Sequence, residues 1–403
     1  MKKVSFYSLL LSVFAAAIFS LVACNESSDK KPEQTKLSIV TTIYPEYAWV
    51  KEILGQRADS VELTLLIKNG VDLHSYKPTA QDIAKIASAN MVIYVGGESD
   101  EWIKDALEAT PKKGRSEINL MKALGDRVKA EEIVEGMQGF ETKDVVRQKV
   151  TEPAEVHQPE QETKEEEHHH HHDEHKEHAE HHHNKVTEPA EVTHNEKHEH
   201  HHDEHADPST SSGTKEHHHH DEEVENDEHV WLSLKNAEIL VQKITVELAK
   251  LDLAHASAYK DNAADYIARI TALDGDYRKA IESAHRKTIL FGDRFPFRYL
   301  VDDYGIKYYA AFVGCSAESE ASFETIAFLA NKMDSDSLPA ILTIEKGNKK
   351  IASAVLAASK NSKDAQILTI NSMQSVTEQQ IAEGESYLTI MQTNLEILKK
   401  ALN

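Results

Sequence analysis

VELTLLIKNGVDLHSYKPTAQDIAKIASANMVIYVGG, residues 61–97, sets out the architecture within one stretch of sequence. A short β-branched run gives way to a polar loop, then to an amphipathic segment after Pro78, then to a second apolar run, MVIYVGG at 91–97. Thr79 is placed to cap a helix and Asp82 to complement its dipole, while Ile83, Ile86 and Ala87 share one face. A strand, a helix and a strand in this spacing form a crossover unit, and crossover units build parallel sheets. The alternation continues on both sides. KLSIVTTI (36–43) precedes it, and KTILF (287–291), IKYYAAF (306–312), AILTI (340–344) and AQILTI (365–370) follow further on.

Between the two groups of strands, residues 258–284 carry Ala263, Tyr266, Ile267, Ile270, Leu273, Tyr277 and Ile281 at spacings of three and four, the mark of a long amphipathic helix. Such a helix reaches about 40 Å. Gly275 within it costs roughly 1 kcal/mol relative to Ala, so packing must supply the difference. The pattern predicts an α/β protein of two lobes, each a parallel sheet with flanking helices. The amino-terminal lobe spans 37–257, the linking helix 258–285 and the carboxy-terminal lobe 286–403.

The formal charge of −23 over 403 residues is concentrated in one place. Residues 151–228 hold 25 Asp and Glu against 5 Lys, a net of −20, together with 21 of the 25 histidines. VTEPAEV occurs at 150–156 and again at 186–192, each time followed by an acidic, His-rich tract. Duplicated low-complexity sequence with so few aliphatic residues forms no core, and disorder is expected for an insert at about 141–226, with the fold resuming near Asp227. Basic residues are nowhere clustered, which excludes nucleic acid as a partner.

At the amino terminus, Lys2 and Lys3 precede an apolar run from Leu9 to Phe19 that ends in Leu21-Val22-Ala23-Cys24. This reads as a signal peptide, 1–24, with a lipobox whose cysteine is acylated after cleavage. Residues 25–36 then form a polar tether to a membrane anchor, in which each buried methylene contributes roughly 0.8 kcal/mol. With Cys24 lipidated, Cys315 is the remaining thiol, and an intrachain disulfide is impossible.

In open parallel sheets ligands gather beyond the carboxyl ends of strands. VELTLLI is followed by Asp72 and His74, KTILF by Asp293, IKYYAAF by Cys315 and Glu320, and AILTI by Glu345. Outside the insert the histidines are His74, His229, His255 and His285. The last two fall on helical patterns beside Lys and Ala and read as surface positions. His74 and His229 lie in short polar loops next to acidic residues, and with the strand-end carboxylates they make a two-histidine, two-carboxylate metal site reasonable. Outside the low-complexity insert neither His-Glu-x-x-His nor a serine elbow occurs, and an enzyme is not expected.

IVTTIYPEYAWVKEILG (39–55), the 70–96 segment around His74, DEHVWLSLKNA (227–237) and ILFGDRFPFRYLVDDYGIKYYAAF (289–312) resemble the substrate-binding lipoproteins of bacterial zinc and manganese ABC transporters, the cluster A-I receptors. A His-rich acidic loop just before the second histidine is typical of the zinc members. The resemblance implies a metal held in the cleft between two α/β lobes, with His74 and His229 as the amino-lobe ligands and Glu345 as a carboxylate ligand. Many relatives have Phe-His-Asp after the first carboxy-lobe strand, where this chain has Phe291-Gly292-Asp293. Asp293 is the first candidate to replace the missing imidazole, with Cys315 or Glu320 behind it. Two imidazoles with two carboxylates also suit manganese, whereas the polyhistidine tract favours zinc, and zinc is the preferred reading. The implied partners are an ABC permease and its ATPase, served by a lipid-anchored extracytoplasmic monomer. A surface zinc buffer or adhesin needs the same site.

Overall fold

The computed structural model describes residues 36–138, 225–316, 320–362 and 364–403. The signal peptide, Cys24, the tether up to residue 35 and nearly all of the His-rich insert lie outside the described residues.

The amino lobe is a four-stranded parallel sheet of β1 (Ser38–Thr41), β2 (Glu62–Leu65), β3 (Met91–Tyr94) and β4 (Ser116–Asn119), in the order β2-β1-β3-β4. Its helices are α1 (Tyr44–Leu54), α2 (Ala80–Ser88), α3 (Trp102–Ala109) and α4 (Leu120–Leu124). Thr79 and Asp82 cap α2 reciprocally, each side chain meeting the other's backbone N–H, as their spacing predicts. β4 is the one strand of this sheet absent from the sequence reading. Its SEIN sequence is short and polar because it is an edge strand, with only Ile118 buried.

After the insert come α5 (Leu234–Leu251) and the long helix α6 (Ala256–Glu282), whose buried face is the set its periodicity marks, except that Ile267 is half-buried. A Cβ at Gly275 would meet nothing, so that glycine lies on the outward side. The carboxy lobe repeats the parallel design with β5 (Thr288–Phe295), β6 (Lys307–Val313), β7 (Ala340–Ile344) and β8 (Gln366–Ile370), ordered β6-β5-β7-β8. Its helices are α7 (Arg298–Tyr304), α8 (Phe323–Ser335), α9 (Lys350–Ala358), α10 (Glu378–Ala382) and α11 (Tyr387–Leu402). β5 runs past the expected end at Phe291. A bulge between Phe291 and Arg294 lets the strand resume, pairing Arg294 with Phe312 and Phe295 with Val313.

Three connections bind the lobes. α6 meets α1 through the Arg269–Glu52 ion pair and through Asn262 donating to the Ile53 carbonyl at 3.0 Å, and meets the carboxy lobe through Tyr277 donating to the Met391 carbonyl at 2.5 Å. The chain on either side of the insert forms an antiparallel clasp at Ala130 and Asn226, and its amino-terminal arm crosses to β6, where the Gln138 N–H donates to the Ala311 carbonyl at 3.0 Å. α11 supplies the third: Tyr387 packs edge-on against Trp49 and donates to the Trp231 carbonyl at 2.8 Å, while the Trp231 indole donates to the Ser372 carbonyl at 2.9 Å. Trp49, Trp231 and Tyr387 are all fully buried in one apolar cluster shared by both lobes. No helix among the described residues is long and apolar enough to cross a membrane.

Removing this shared aromatic should therefore be felt globally. Tyr387→Ala is expected to lower unfolding free energy by about 3–5 kcal/mol in a urea titration. A loss within measurement error would show that the lobes do not depend on this contact.

Candidate metal centre

The loop leaving β2 continues the ladder for two residues, with the Leu66 and Ile67 N–H groups donating to the Thr41 and Thr42 carbonyls. Asn69 and Gly70, both at positive φ, then turn the chain. Asp72 caps the following 3₁₀ turn by accepting the His74 N–H at 3.0 Å, and fully buried Leu73 anchors the turn to the core. The His74 ring is thereby directed into the cleft. Its Nδ1 lies 2.6 Å from Ser99 Oγ, on the loop after β3, and the Ser99 N–H donates to Glu228 at 2.9 Å.

His229 stands at the end of the clasp and is fully buried. One oxygen of Asp227 accepts both its backbone N–H at 2.8 Å and its ring Nδ1–H at 3.0 Å. A carboxylate on Nδ1 fixes the proton there and leaves the Nε2 lone pair facing the cleft. With Ser99 accepting from His74 in the same way, the two rings present Nε2 to one another at 3.3 Å. Two nitrogens bound at about 2.0–2.1 Å to one tetrahedral ion stand about 3.3–3.4 Å apart, so the pair already has the bite of such an ion.

Cys315 completes the group. Among the described residues, His74, His229 and Cys315 are the one set of three metal-ligating side chains whose donor atoms all lie within 4.8 Å of each other. Gly314 permits this approach: a Cβ there would sit 3.0 Å from the His229 ring and 2.9 Å from the Phe295 carbonyl. The Cys315 N–H donates to Glu131 at 3.0 Å. Burial, then the charges of Glu131, Asp227 and Glu228, push the thiol far above its ordinary range. A cation in the cleft would oppose both effects.

The other candidate ligands lie elsewhere. Glu345 is occupied by the loop after β8, accepting the Ser372 N–H and hydroxyl, each at 2.7 Å. Asp293 accepts the Arg294 N–H at 2.9 Å and the Ile344 N–H at 3.4 Å, and it lines a cavity of about 340 Å³ with Asp72, Arg294, Glu345 and Lys346. Neither carboxylate belongs to the histidine–cysteine group, and exposed Glu320 does not either. Gly292 is not a ligand position that has merely lost its imidazole. A Cβ there would lie 2.6–2.8 Å from Ala352, so β5 packs against α9 too closely for any side chain.

Gln374, absent from the sequence reading, reaches the histidines, and Arg294 stands behind it. Gln374 Nε2 is 3.2 Å from His74 Nε2 and contacts His229 Nε2. Its Oε1 accepts from Arg294 Nη2 at 3.0 Å, and the same guanidinium nitrogen bonds Asp72. The strand-end rule finds Gln374 once it is applied to β8. The bulge in β5, which the sequence does not announce, directs Arg294 into the site.

A family model described as ZnuA, zinc-uptake complex component A periplasmic, matches residues 39–401. The chain belongs to that family. ZnuA proteins are extracytoplasmic uptake receptors, not enzymes. The zinc-binding lipoprotein AdcA of Streptococcus pneumoniae is 29% identical over 402 residues, which are 99% of this chain and 61% of that protein, so the chain spans about three fifths of such a relative. The high-affinity zinc uptake system protein ZnuA of Bacillus subtilis is 26% identical over 395 residues, covering 97% of both chains. Among solved structures, the Zn(II)-bound ZnuA-like domain of S. pneumoniae AdcA shares the fold with a TM-score of 0.56 at 23% identity, over 91% of this chain and 99% of that one. The laminin-binding protein Lmb of Streptococcus agalactiae does so with a TM-score of 0.58 at 20% identity, over 91% and 100%.

Burial, then the facing His229 and the Arg294 charge, hold the His74 imidazole pKa well below its ordinary value of 6.5, with Asp72 opposing them. Below that value the unfolded chain takes up a proton that the native chain refuses, so stability falls as pH falls. Metal-free protein should lose more unfolding free energy between about pH 7 and about pH 5 than His74→Gln does. Equal losses in denaturant titrations would contradict this assignment.

Proposed function

We propose that the chain captures zinc outside the cytoplasm and delivers it to an ABC permease driven by its ATPase. The observation that carries this reading is the facing pair of Nε2 atoms at 3.3 Å, in a group where one ring nitrogen of each histidine and the Cys315 sulfur all lie within 4.8 Å of one another. Two imidazoles and a thiolate are borderline-to-soft donors, which suit zinc and disfavour manganese, whose preference is for carboxylate and water. The sequence alone already preferred zinc on the strength of the polyhistidine tract, against two carboxylates that also suit manganese. Hydrogen bonds from backbone N–H groups to Glu345 and Asp293 lend further support to zinc.

A fourth ligand completing the group would leave no position for a reacting water, in keeping with a receptor. The lobes are fastened by α6, the clasp and α11, so loading and release fall to the loops bearing the ligands. The His-rich insert serves as a weak collector. Solvated imidazoles near their ordinary pKa of about 6.5 are mostly neutral at pH 7, bind metal weakly and release it quickly, and tethering raises the local metal concentration. Acylated Cys24 holds the protein, as a monomer, at the membrane.

Competition titration against a chelator tests the assignment. Wild type should show one tight zinc site, weakened roughly a hundredfold in His74→Ala. Cys315→Ser should weaken it about tenfold and release about one proton fewer on binding, measured by calorimetry in buffers of different ionisation enthalpy. Deleting 157–220 should remove weak sites and keep the tight one. A tight site indifferent to His74, or lost with the insert, would refute the reading.

A further inference from the structure

The clasp at the foot of the insert leads into three consecutive buried residues, Asp227, Glu228 and His229. Asp227 orients the ring of its near neighbour His229. Glu228 takes no part in that bond and reaches instead to the loop after β3, where one carboxylate oxygen accepts the Ser99 N–H at 2.9 Å. Its other oxygen is buried and has no hydrogen-bond partner among the described residues. A carboxylate only 3% exposed, with half of its acceptor capacity unused, lowers stability unless the single bond it makes has a task.

That task lies one residue further on, because the Ser99 hydroxyl stands 2.6 Å from His74 Nδ1. The loop is shaped around the carboxylate. Gly97 packs on it so closely that a Cβ there would lie 2.4 Å from the carboxyl carbon of Glu228. With φ at −96°, the Gly97 backbone would accept a side chain, so the glycine answers to this contact and not to its conformation. Fully buried Asp100 grips the start of the same loop, accepting the Val95 and Gly96 N–H groups at 2.7 and 2.8 Å. Glu228 is what fixes its Ser99 end.

We propose that Glu228 is a positioning residue for zinc capture: through the Ser99 backbone it places the hydroxyl that holds His74, so that two adjacent carboxylates on the clasp orient both imidazoles. The proposal rests on the metal-capture reading and deepens it. The two rings that face each other at 3.3 Å belong to loops 155 positions apart, and neither loop can set that distance alone. Asp227 and Glu228 are joined by one planar peptide bond, so the reference points for the two rings share a rigid piece of backbone. The clasp in turn holds that piece, with the Asp227 N–H donating to the Lys129 carbonyl at 2.8 Å and the Glu131 N–H to the Glu225 carbonyl at 2.9 Å. The role assigned to Glu228 is geometric. It needs an acceptor oxygen beneath Ser99 and does not need the negative charge.

The test uses the full chain and zinc alone, with affinities from chelator competition. Glu228→Leu and Ser99→Ala should each weaken zinc binding about tenfold, the usual effect of losing a group that orients a ligand. Combined, they should weaken it no further, since both act through one hydrogen bond to His74. Glu228→Gln keeps an oxygen for the Ser99 N–H and discards the charge, and it should bind within about threefold of wild type. Nitrogen-15 spectra of metal-free protein, with His74 assigned by its loss in His74→Gln, supply a readout that loss of stability alone would not move. His74 should carry its proton on Nδ1 in wild type and on either nitrogen in Glu228→Leu, while His229 is unchanged. Wild-type affinity or an unchanged His74 tautomer in Glu228→Leu overturns the proposal, as do additive losses in the double variant. Binding in Glu228→Gln as weak as in Glu228→Leu also overturns it, because charge and not the bond would then matter. If Glu228→Leu does not fold, Gly97→Ala, which drives the carboxylate from the loop, takes its place; a similar loss is expected, and unchanged affinity overturns the proposal. If wild type lacks a tight site sensitive to His74, the capture reading fails and this proposal falls with it. Tight, His74-dependent binding indifferent to Glu228 sinks the proposal alone.

Discussion

The centre depends on a short-range constraint: Asp227 holds the Nδ1 proton of His229, so that in a fully buried ring only Nε2 can face the cleft. Without that carboxylate the ring is free to place its proton on Nε2 and meet His74 as a donor. With it, and with Ser99 on the opposite ring, the two imidazoles are held with their Nε2 atoms 3.3 Å apart. Such an arrangement is unfavourable unless something positive or hydrogen-bond-donating lies against it. Here the Gln374 amide lies against the pair, and a bound cation would satisfy it in the same way.

The two sheets exist to bring that constraint about. Each side chain at the centre leaves the carboxyl end of a parallel strand or the clasp at the foot of the insert, and each loop is pinned by a buried group. Asp72 caps the turn of His74, Glu345 holds the turn of Gln374, and Glu131 holds the backbone of Cys315. Carboxylates are abundant here yet serve mainly to organise backbone N–H groups around softer donors. The lobes share one apolar cluster through Trp49, Trp231 and Tyr387, so adjustment of the site is local.

Much of this was legible from residue order. The alternation of β-branched runs and amphipathic segments gave the two lobes, the periodicity of 258–284 gave α6, and the strand-end rule selected His74 and Cys315. β4 escaped because an edge strand needs little apolar sequence. Glu345 and Asp293 stand at strand ends as expected, but their oxygens accept backbone N–H groups, and a strand-end carboxylate looks the same in sequence whether it faces a metal or a neighbouring backbone. Gly292 read as a lost ligand, although its closeness to Ala352 is a packing requirement visible only in three dimensions. Arg294 depended on the bulge in β5, and Gln374 was passed over because an amide is a less obvious donor than a carboxylate.

The most direct test of the account is zinc K-edge X-ray absorption on protein loaded with one equivalent of zinc. The account predicts two imidazole nitrogens at about 2.0–2.1 Å and one sulfur at about 2.3 Å, with a single light atom completing the shell. A shell without sulfur, or one built from carboxylate oxygens with fewer than two imidazoles, would contradict it.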